Sequence, residues 1–400
     1  MAPREQIANR KAREVLALVR RHRTRSKADL KDRIDIPVST LTRILDELVR
    51  DEWLIETGLG ESTGGRRPIL YTLNPNGAYA FGLDISRTYS LLVLCDSHLN
   101  RLASRMWRMD GAMNPDQLVA LVGEAIHEML TQTGKTPQDV LGIGVGSVGP
   151  VDREKGMILD PLYFPATGWH DVPICKMLEE STGYEIMLDN GANTAILGEY
   201  DTQDASELQH LLYLHAGVGI RSAMIIGGQP VYGAVDREGA IGQMIIQTDG
   251  PAPMSANGNY GSWESLASLR AIEQRAIAKL KLGRSSLLIE QLPSFEQLKY
   301  SDLIEAEQSG DVLAKEVLLE SACYFGIGLA NLLNILHPQK VILGGPLFTN
   351  NAIFYEETIR VAKHKTQHFP RYQVLFEKSR LGDEAVATGA AALLFRQWME

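Results

Sequence analysis

The sequence predicts an α/β protein of more than one domain, with a small basic helical unit ahead of a larger body of buried strands. Three observations predict it. At 400 residues the chain is too long for one ordinary core and fits two or three domains. Apolar residues recur at helical spacing up to about Arg50, then fall into short apolar strands from Ala78 onward. Charge is divided along the chain: residues 1–27 hold nine Lys and Arg against two Asp and Glu, although the whole chain has a net charge of -9. A basic head on an acidic body suits a protein that meets nucleic acid with one end; a solvated basic helix would give the same excess.

The head is read from its apolar stripes. A first helix runs from about Asn9 to His22 on Ala12, Val15, Leu16 and Val19. A second starts at Ser26, a good N-cap with Asp29 three residues on, and carries Ala28, Leu30 and Ile34. Pro37 breaks the chain, and Ser39 is expected to cap a third helix reaching about Asp51, with Leu41, Ile44, Leu45, Leu48 and Val49 on one face. Ser39, Thr40, Thr42 and Arg43 crowd the start of that helix, where short polar groups and an Arg suit a major groove. A strand near Trp53–Glu56 and another near Ile69–Leu73 flank a loop holding Gly64, Gly65, Arg66, Arg67 and Pro68. Glycines that allow close approach, followed by two arginines, suit a minor groove; a flexible hairpin tip has the same composition. Three helices and a basic hairpin at this spacing make a winged helix-turn-helix, placed at residues 1–76.

The body begins with strands at 80–85, Ser90–Cys95 and Leu102–Met109, then a helix from about Pro115 to Gln132. The stretch 141–150 is a buried strand running into a glycine-rich turn. Such a turn brings backbone N–H groups to an anion or a sugar hydroxyl, or simply folds tightly inside a sheet. Further strands fall at Leu211–Leu214 and Lys340–Leu343. A long helix runs from about Asp311 to Leu336 and an Ala-rich one closes the chain from Ala385. No strong internal repeat is visible, though two similar lobes fit the pattern.

Composition excludes other classes. No apolar run reaches the roughly 18 residues of a membrane span, and the basic segment Met1–Arg25 lacks the apolar core of a signal peptide. Cys95, Cys175 and Cys323 are far apart and form no Cys-x-x-Cys pair, so they read as reduced thiols in a cytoplasmic protein.

From Asn9 to the C-terminus the chain resembles the ROK family. Asn9-Arg10, the helix-turn-helix, Gly64-Gly65-Arg66-Arg67-Pro68 and Gly82-Leu83-Asp84-Ile85, in that order, look like its repressor branch, of the xylose, glucose and N-acetylglucosamine type. The resemblance implies an actin-like, two-lobed sugar-kinase (ATPase) fold behind the winged head. It places a small lobe at 77–195, completed by the C-terminal helix at 385–400. A large lobe at 196–384 would hold the effector cleft and the dimerisation surface. It also implies double-stranded operator DNA of palindromic form, a small sugar, sugar derivative or polyol effector, and a homodimer or tetramer.

The departures from the family pattern bear on activity. The family's kinases carry Asp-x-Gly-Gly-Thr at the first phosphate loop, and here Ser86 and Arg87 replace the glycines. Their second loop is Gly-Thr-Gly, here Gly217-Val218-Gly219. Their general base is the Asp of Asn-Asp-x-Asn, and Gly191 stands at that position, with Asp189 two residues earlier. Gln243, Ser255, Asn257 and Ser262 replace the family's one His and three Cys zinc ligands, so no metal is expected and hydrogen bonds are expected to tie the loop. Asn190 and Glu264 match sugar-holding positions, whereas Ala240 and Gln243 replace a Glu and a His. Gly149 and His170 fall near the pocket by the same resemblance; a packed or surface histidine is the plainer reading of His170.

The expectation is thus an effector-controlled regulator, most simply a repressor, that is not an enzyme and needs no cofactor. Its DNA-binding residues are Ser39, Thr40, Thr42, Arg43, Gly64, Gly65, Arg66 and Arg67; its effector residues are Gly149, His170, Asn190, Gln243 and Glu264. The alternatives are an active sugar kinase with a DNA-binding appendage and a regulator with no small-molecule effector.

Overall fold

The computed structural model describes residues 7, 9–60, 67–203, 208–234, 238–253, 257–349 and 351–399. Packing divides the chain into two units: residues up to 207 with 232–236 and 383–400, and residues 208–231 with 237–382.

The first unit opens with α1 (Arg10–His22), whose N-cap Asn9 accepts hydrogen bonds from the N–H groups of Lys11 and Ala12. A short strand, β1 (Thr24–Ser26), leads into α2 (Lys27–Lys31), closed at its start by a reciprocal capping box of Ser26 and Asp29. The expected second helix is therefore cut to five residues, and Ile34 lies in the turn beyond it. Helix α3 (Val38–Arg50) buries Leu41, Ile44, Leu45 and Leu48. Ser39 does not cap it. Pro37 holds φ at -57° and is the N-cap itself, with no side-chain cap bond, so the helix starts at Val38 and Ser39 sits inside the first turn. Strands β2 (Leu54–Leu59) and β3 (Ile69–Leu73) form the hairpin, with β3 central in a sheet of order β1-β3-β2.

The rest of this unit is a five-stranded sheet. Strands β4 (Tyr79–Ile85), β5 (Tyr89–Asp96) and β6 (Arg101–Arg108) form an antiparallel meander. After α4 (Pro115–Thr133), β7 (Val140–Ser147) pairs parallel to β4. A small hairpin of β8 (Val151–Asp152) and β9 (Met157–Ile158) and helix α5 (Ile174–Thr182) precede β10 (Ile186–Asn190), parallel to β7. Helix α6 (Gly191–Asp201) follows directly.

The second unit repeats this order. Strands β11 (His210–Ala216), β12 (Ile220–Ile226) and β13 (Gln229–Pro230) are an antiparallel meander. Helices α7 (Trp263–Ala267), α8 (Leu269–Lys281), α9 (Leu288–Gln291), α10 (Tyr300–Gln308) and α11 (Val312–Leu336) come next. Then β14 (Lys340–Gly344) pairs parallel to β11 and, after α12 (Pro346–Thr349) and α13 (Ala352–Lys365), β15 (Leu375–Lys378) pairs parallel to β14. The sheets read β6-β5-β4-β7-β10 and β13-β12-β11-β14-β15, the same topology twice. Helix α11 is long and apolar enough to cross a membrane by length and composition. Here it is core: Phe325 packs against Trp263, Phe348 and Phe354.

Chain closure returns to the first unit with α14 (Ala385–Met399), which lies on β4 and β7. A Cβ placed on Gly144 would come 1.8 Å from the carbonyl of Ala390, so this glycine of β7 lets the helix lie directly on the sheet. Helix α6 packs on the same helix just as closely: a Cβ on Gly389 would sit 1.6 Å from the carbonyl of Thr194.

Two sequence-based borders move. The expected break at 195/196 would cut α6, which belongs wholly to the first unit; the division falls at Leu208. The border after residue 76 is not a border of packing at all. Val15, Leu16, Leu41, Ile44 and Trp53 share one apolar core with Ala387, Ala391, Phe395 and Trp398, and the rings of Trp53 and Trp398 lie 6.5 Å apart.

Candidate DNA-binding face and effector residues

The apolar stripe of α3 faces inward, which turns its polar residues out. Ser39 and Arg43 are exposed, and Thr40 and Thr42 half-buried. Thr42 donates its hydroxyl to the carbonyl of Val38 at 2.9 Å and accepts from Lys27 Nζ at 3.3 Å, which ties α3 to α2. Arg43 pairs with Glu47 at 2.7 Å one turn on, with both side chains partly in solvent. Such a pair is worth about 0.3–0.5 kcal/mol. A bidentate base contact is worth about 1–3 kcal/mol, so a duplex could take Arg43 from Glu47. In the hairpin, Arg67 is exposed; Gly64, Gly65 and Arg66 lie outside the described residues.

Within the first unit the strand end of β10 and the start of α6 build a polar cluster. Asn190 is 2% exposed and caps α6, its Oδ1 accepting the N–H of Asn193 at 2.9 Å. Asn193 in turn donates its amide to Asp189 Oδ1 at 2.9 Å, and Tyr232 donates its hydroxyl to Asp189 Oδ2 at 2.8 Å. The Arg153 guanidinium lies 4.0 Å from that carboxylate and stacks 3.7 Å from the centre of the Tyr232 ring. Burial pushes the Asp189 carboxyl up to about 6, with the Asn193 and Tyr232 hydrogen bonds and Arg153 opposing it. Asp189, Tyr232 and Arg153 were not expected as a group, because their contacts join residues 43 and 36 positions apart.

Gly149 precedes Pro150 through a cis peptide just beyond β7. His170 is a surface residue, 70% exposed in its side chain, set between Asp160 at 3.3 Å and Asp171 at 3.0 Å. It borders a shallow depression of about 360 Å³ with Asn114, Thr167 and Pro173.

The second unit carries the other two effector candidates. Glu264 opens α7 and accepts the N–H of Ile220 at 3.2 Å, at the turn that contains Gly217 and Gly219. A Cβ on Gly219 would fall 2.8 Å from its Oε2, so the carboxylate fills the space beside that turn. Gln243 accepts the N–H of Asn259 through Oε1 and the Asn259 amide through its carbonyl, both at 2.9 Å. Ser262 caps α7 by accepting the N–H of Ser265 at 3.2 Å. Hydrogen bonds thus tie this loop at Gln243 and Ser262; Asn257 is exposed and Ser255 lies outside the described residues. Among the described residues no group of three or more His, Cys, Asp or Glu side chains could hold a metal.

The phosphate-loop positions follow the same pattern. Arg87 turns its Nε to the carbonyl of Leu162 at 2.8 Å, and Ser86 N–H closes the β4–β5 turn on Tyr89. Gly191 begins α6 and offers no carboxylate; the Asp189 carboxylate is held by Asn190 N–H, Asn193 and Tyr232.

A three-helix head with a basic hairpin, built into a body of two sheets of one topology, defines the class: a helix-turn-helix unit on a sugar-kinase-like fold. The chain belongs to the ROK family, whose model matches residues 80–397. A xylose repressor of Caldicellulosiruptor bescii is 27% identical over 369 residues, 92% of this chain and 91% of its own. A glucokinase of Halalkalibacterium halodurans is 28% identical over 283 residues, 69% of this chain and 82% of its own. Among solved structures, a ROK family transcriptional regulator homologous to the E. coli MLC protein has the same fold, with a TM-score of 0.77, 21% identity, and coverage of 97% of this chain and 96% of that one.

Proposed function

We propose that this protein is a sugar-responsive transcriptional repressor that binds operator DNA through α3 and the β2–β3 hairpin and does not phosphorylate its sugar. The observation that carries the proposal is the pairing of an outward polar face on α3, from Ser39 to Arg43, with Gly191 at the family's general-base position. The near full-length likeness to a xylose repressor supports it, against a likeness to a glucokinase that spans 69% of the chain. Without a base within reach of the sugar hydroxyl, a factor of about 10² to 10⁴ in rate is lost. Arg87 in place of a phosphate-loop glycine adds to that loss. Effector contacts are assigned to Gly149, Asn190, Gln243 and Glu264, with His170 a peripheral candidate; the protein acts as a homodimer or tetramer on a two-half-site operator.

The experiment pairs two measurements. The unmodified protein selects duplexes from a random pool, and the selected duplex is titrated with and without D-xylose and D-glucose. The same preparation is assayed for ATP-dependent phosphorylation of both sugars. A palindromic duplex, a sugar-dependent shift in affinity and no phosphorylation are expected. Sustained turnover would establish the kinase reading that the glucokinase likeness keeps open.

A further inference from the structure

The last turn of α6 is gripped by the head. Asp201 is 5% exposed in its side chain and receives Arg20 of α1 at 2.5 Å and Arg396 of α14 bidentately, at 2.7 Å and 2.9 Å. Next to it, the guanidinium groups of Arg21 and Arg396 lie 5.9 Å and 5.8 Å from the centre of the Tyr200 ring. Arg23 donates to the carbonyl of Thr202, the residue that ends α6. Three arginines of the head, Arg20, Arg21 and Arg23, therefore close on the negative end of one helix dipole. The opposite end of the same helix is capped by Asn190, beside the Asp189–Tyr232–Arg153 cluster.

We propose that α6 transmits the state of its Asn190 end to the DNA-binding head, with the Asp201–Arg20–Arg396 triad as the joint. This rests on the effector role of Asn190 proposed above. Three features carry it. Helix α6 is 11 residues long, about 16 Å, and its backbone touches that of α14, so it moves as a piece rather than bending. The joint is made of charges with fixed hydrogen-bond geometry, which transmits rotation as well as displacement; an apolar contact would let α1 slip. The joint also holds spare donors: Nε and Nη2 of Arg21, whose guanidinium lies beside Tyr200, are buried without a hydrogen-bond partner among the described residues. A shifted α6 therefore finds new donors in α1 instead of leaving a bare carboxylate, as an element with two arrangements requires.

The test needs no known effector. Affinity for the duplex selected by the unmodified full-length protein is measured for four proteins: unmodified, Asn190→Ala, Arg20→Gln and the double variant. Arg20→Gln leaves the Asp201–Arg396 pair in place, so the body keeps its charge balance. Asn190→Ala should change affinity roughly three- to thirtyfold with Arg20 present and less than about twofold with Gln there. Equal effects of Asn190→Ala in both backgrounds, or no effect with Arg20 present, would overturn the proposal. If Arg20→Gln fails to fold, Asp201→Asn with the same cycle decides by the same criterion. Failure to select any duplex would instead defeat the repressor reading, so the two failures are distinct.

Discussion

Single residues on α3 and in the two candidate effector sets have separable roles. Arg43→Ala should weaken the selected duplex by about 1–3 kcal/mol and relax preference at one base position, since only a mild pairing to Glu47 is given up. Arg67→Ala should weaken all sequences alike and lower the salt slope by about one unit. Gel shifts across a salt series distinguish them, and full affinity in both variants would remove the DNA face from α3 and the hairpin. At the body, Glu264→Gln keeps the shape beside the Gly219 turn while removing charge, so it should lower sugar affinity measured by calorimetry with little change in melting temperature. Asn190→Ala differs, because it also removes the cap of α6 and should cost about 1 kcal/mol of stability besides sugar affinity.

At the scale of elements, what the sequence makes visible depends on whether the signal is local. Apolar periodicity and caps are local, and they place α1, α3, α4, α11 and α14 and strands β3, β4, β5 and β7 within a few residues. Ser26 with Asp29 reads correctly as a cap, whereas Ser39 misleads because Pro37 is the cap and the helix starts two residues earlier than a Ser39 cap would place it. The duplicated sheet order escapes the eye because its meander and parallel strands repeat in geometry, not in residues. For the candidate site, family likeness offers single positions such as Asn190, Gln243 and Glu264. The partners of Asp189 and Asp201 cannot, since Arg20 and Asp201 are 181 positions apart and no spacing rule links them. Helix α14 shows the consequence of such distant packing. Gly389→Val would drive a side chain into the α6 backbone at Thr194 and should prevent folding of the first unit, visible as loss of soluble protein and of the main thermal transition.

The whole molecule differs from a head on a tether, and its response to acid and to truncation should show it. The core that holds Val15, Leu41 and Trp53 of the head also holds Ala391, Phe395 and Trp398 of the final helix, so neither part buries its apolar face alone. A fragment of residues 1–76 should therefore show no cooperative melting and no measurable affinity for the selected duplex; a folded, DNA-binding fragment would contradict the shared core. The Asp201 joint adds a pH signature. Burial alone would raise its carboxyl, but Arg20 and Arg396 outweigh burial and hold it at about 2, against an ordinary 3.8. A carboxyl held low in the folded state stabilises fully above about pH 4, and that contribution is lost as pH falls toward 2. The span corresponds to about 2 kcal/mol. Asp189 acts in the opposite sense: held at about 6, it favours the folded state below about pH 4, and that help is lost as pH rises through 6. Unfolding by urea, followed from pH 2 to pH 7 in the unmodified protein and in Asp201→Asn, separates the two. The deficit of Asp201→Asn should be constant above about pH 4 and shrink toward pH 2. A deficit unchanged down to pH 2 would mean that the joint stabilises by packing alone, and that charge does not hold the head to the body.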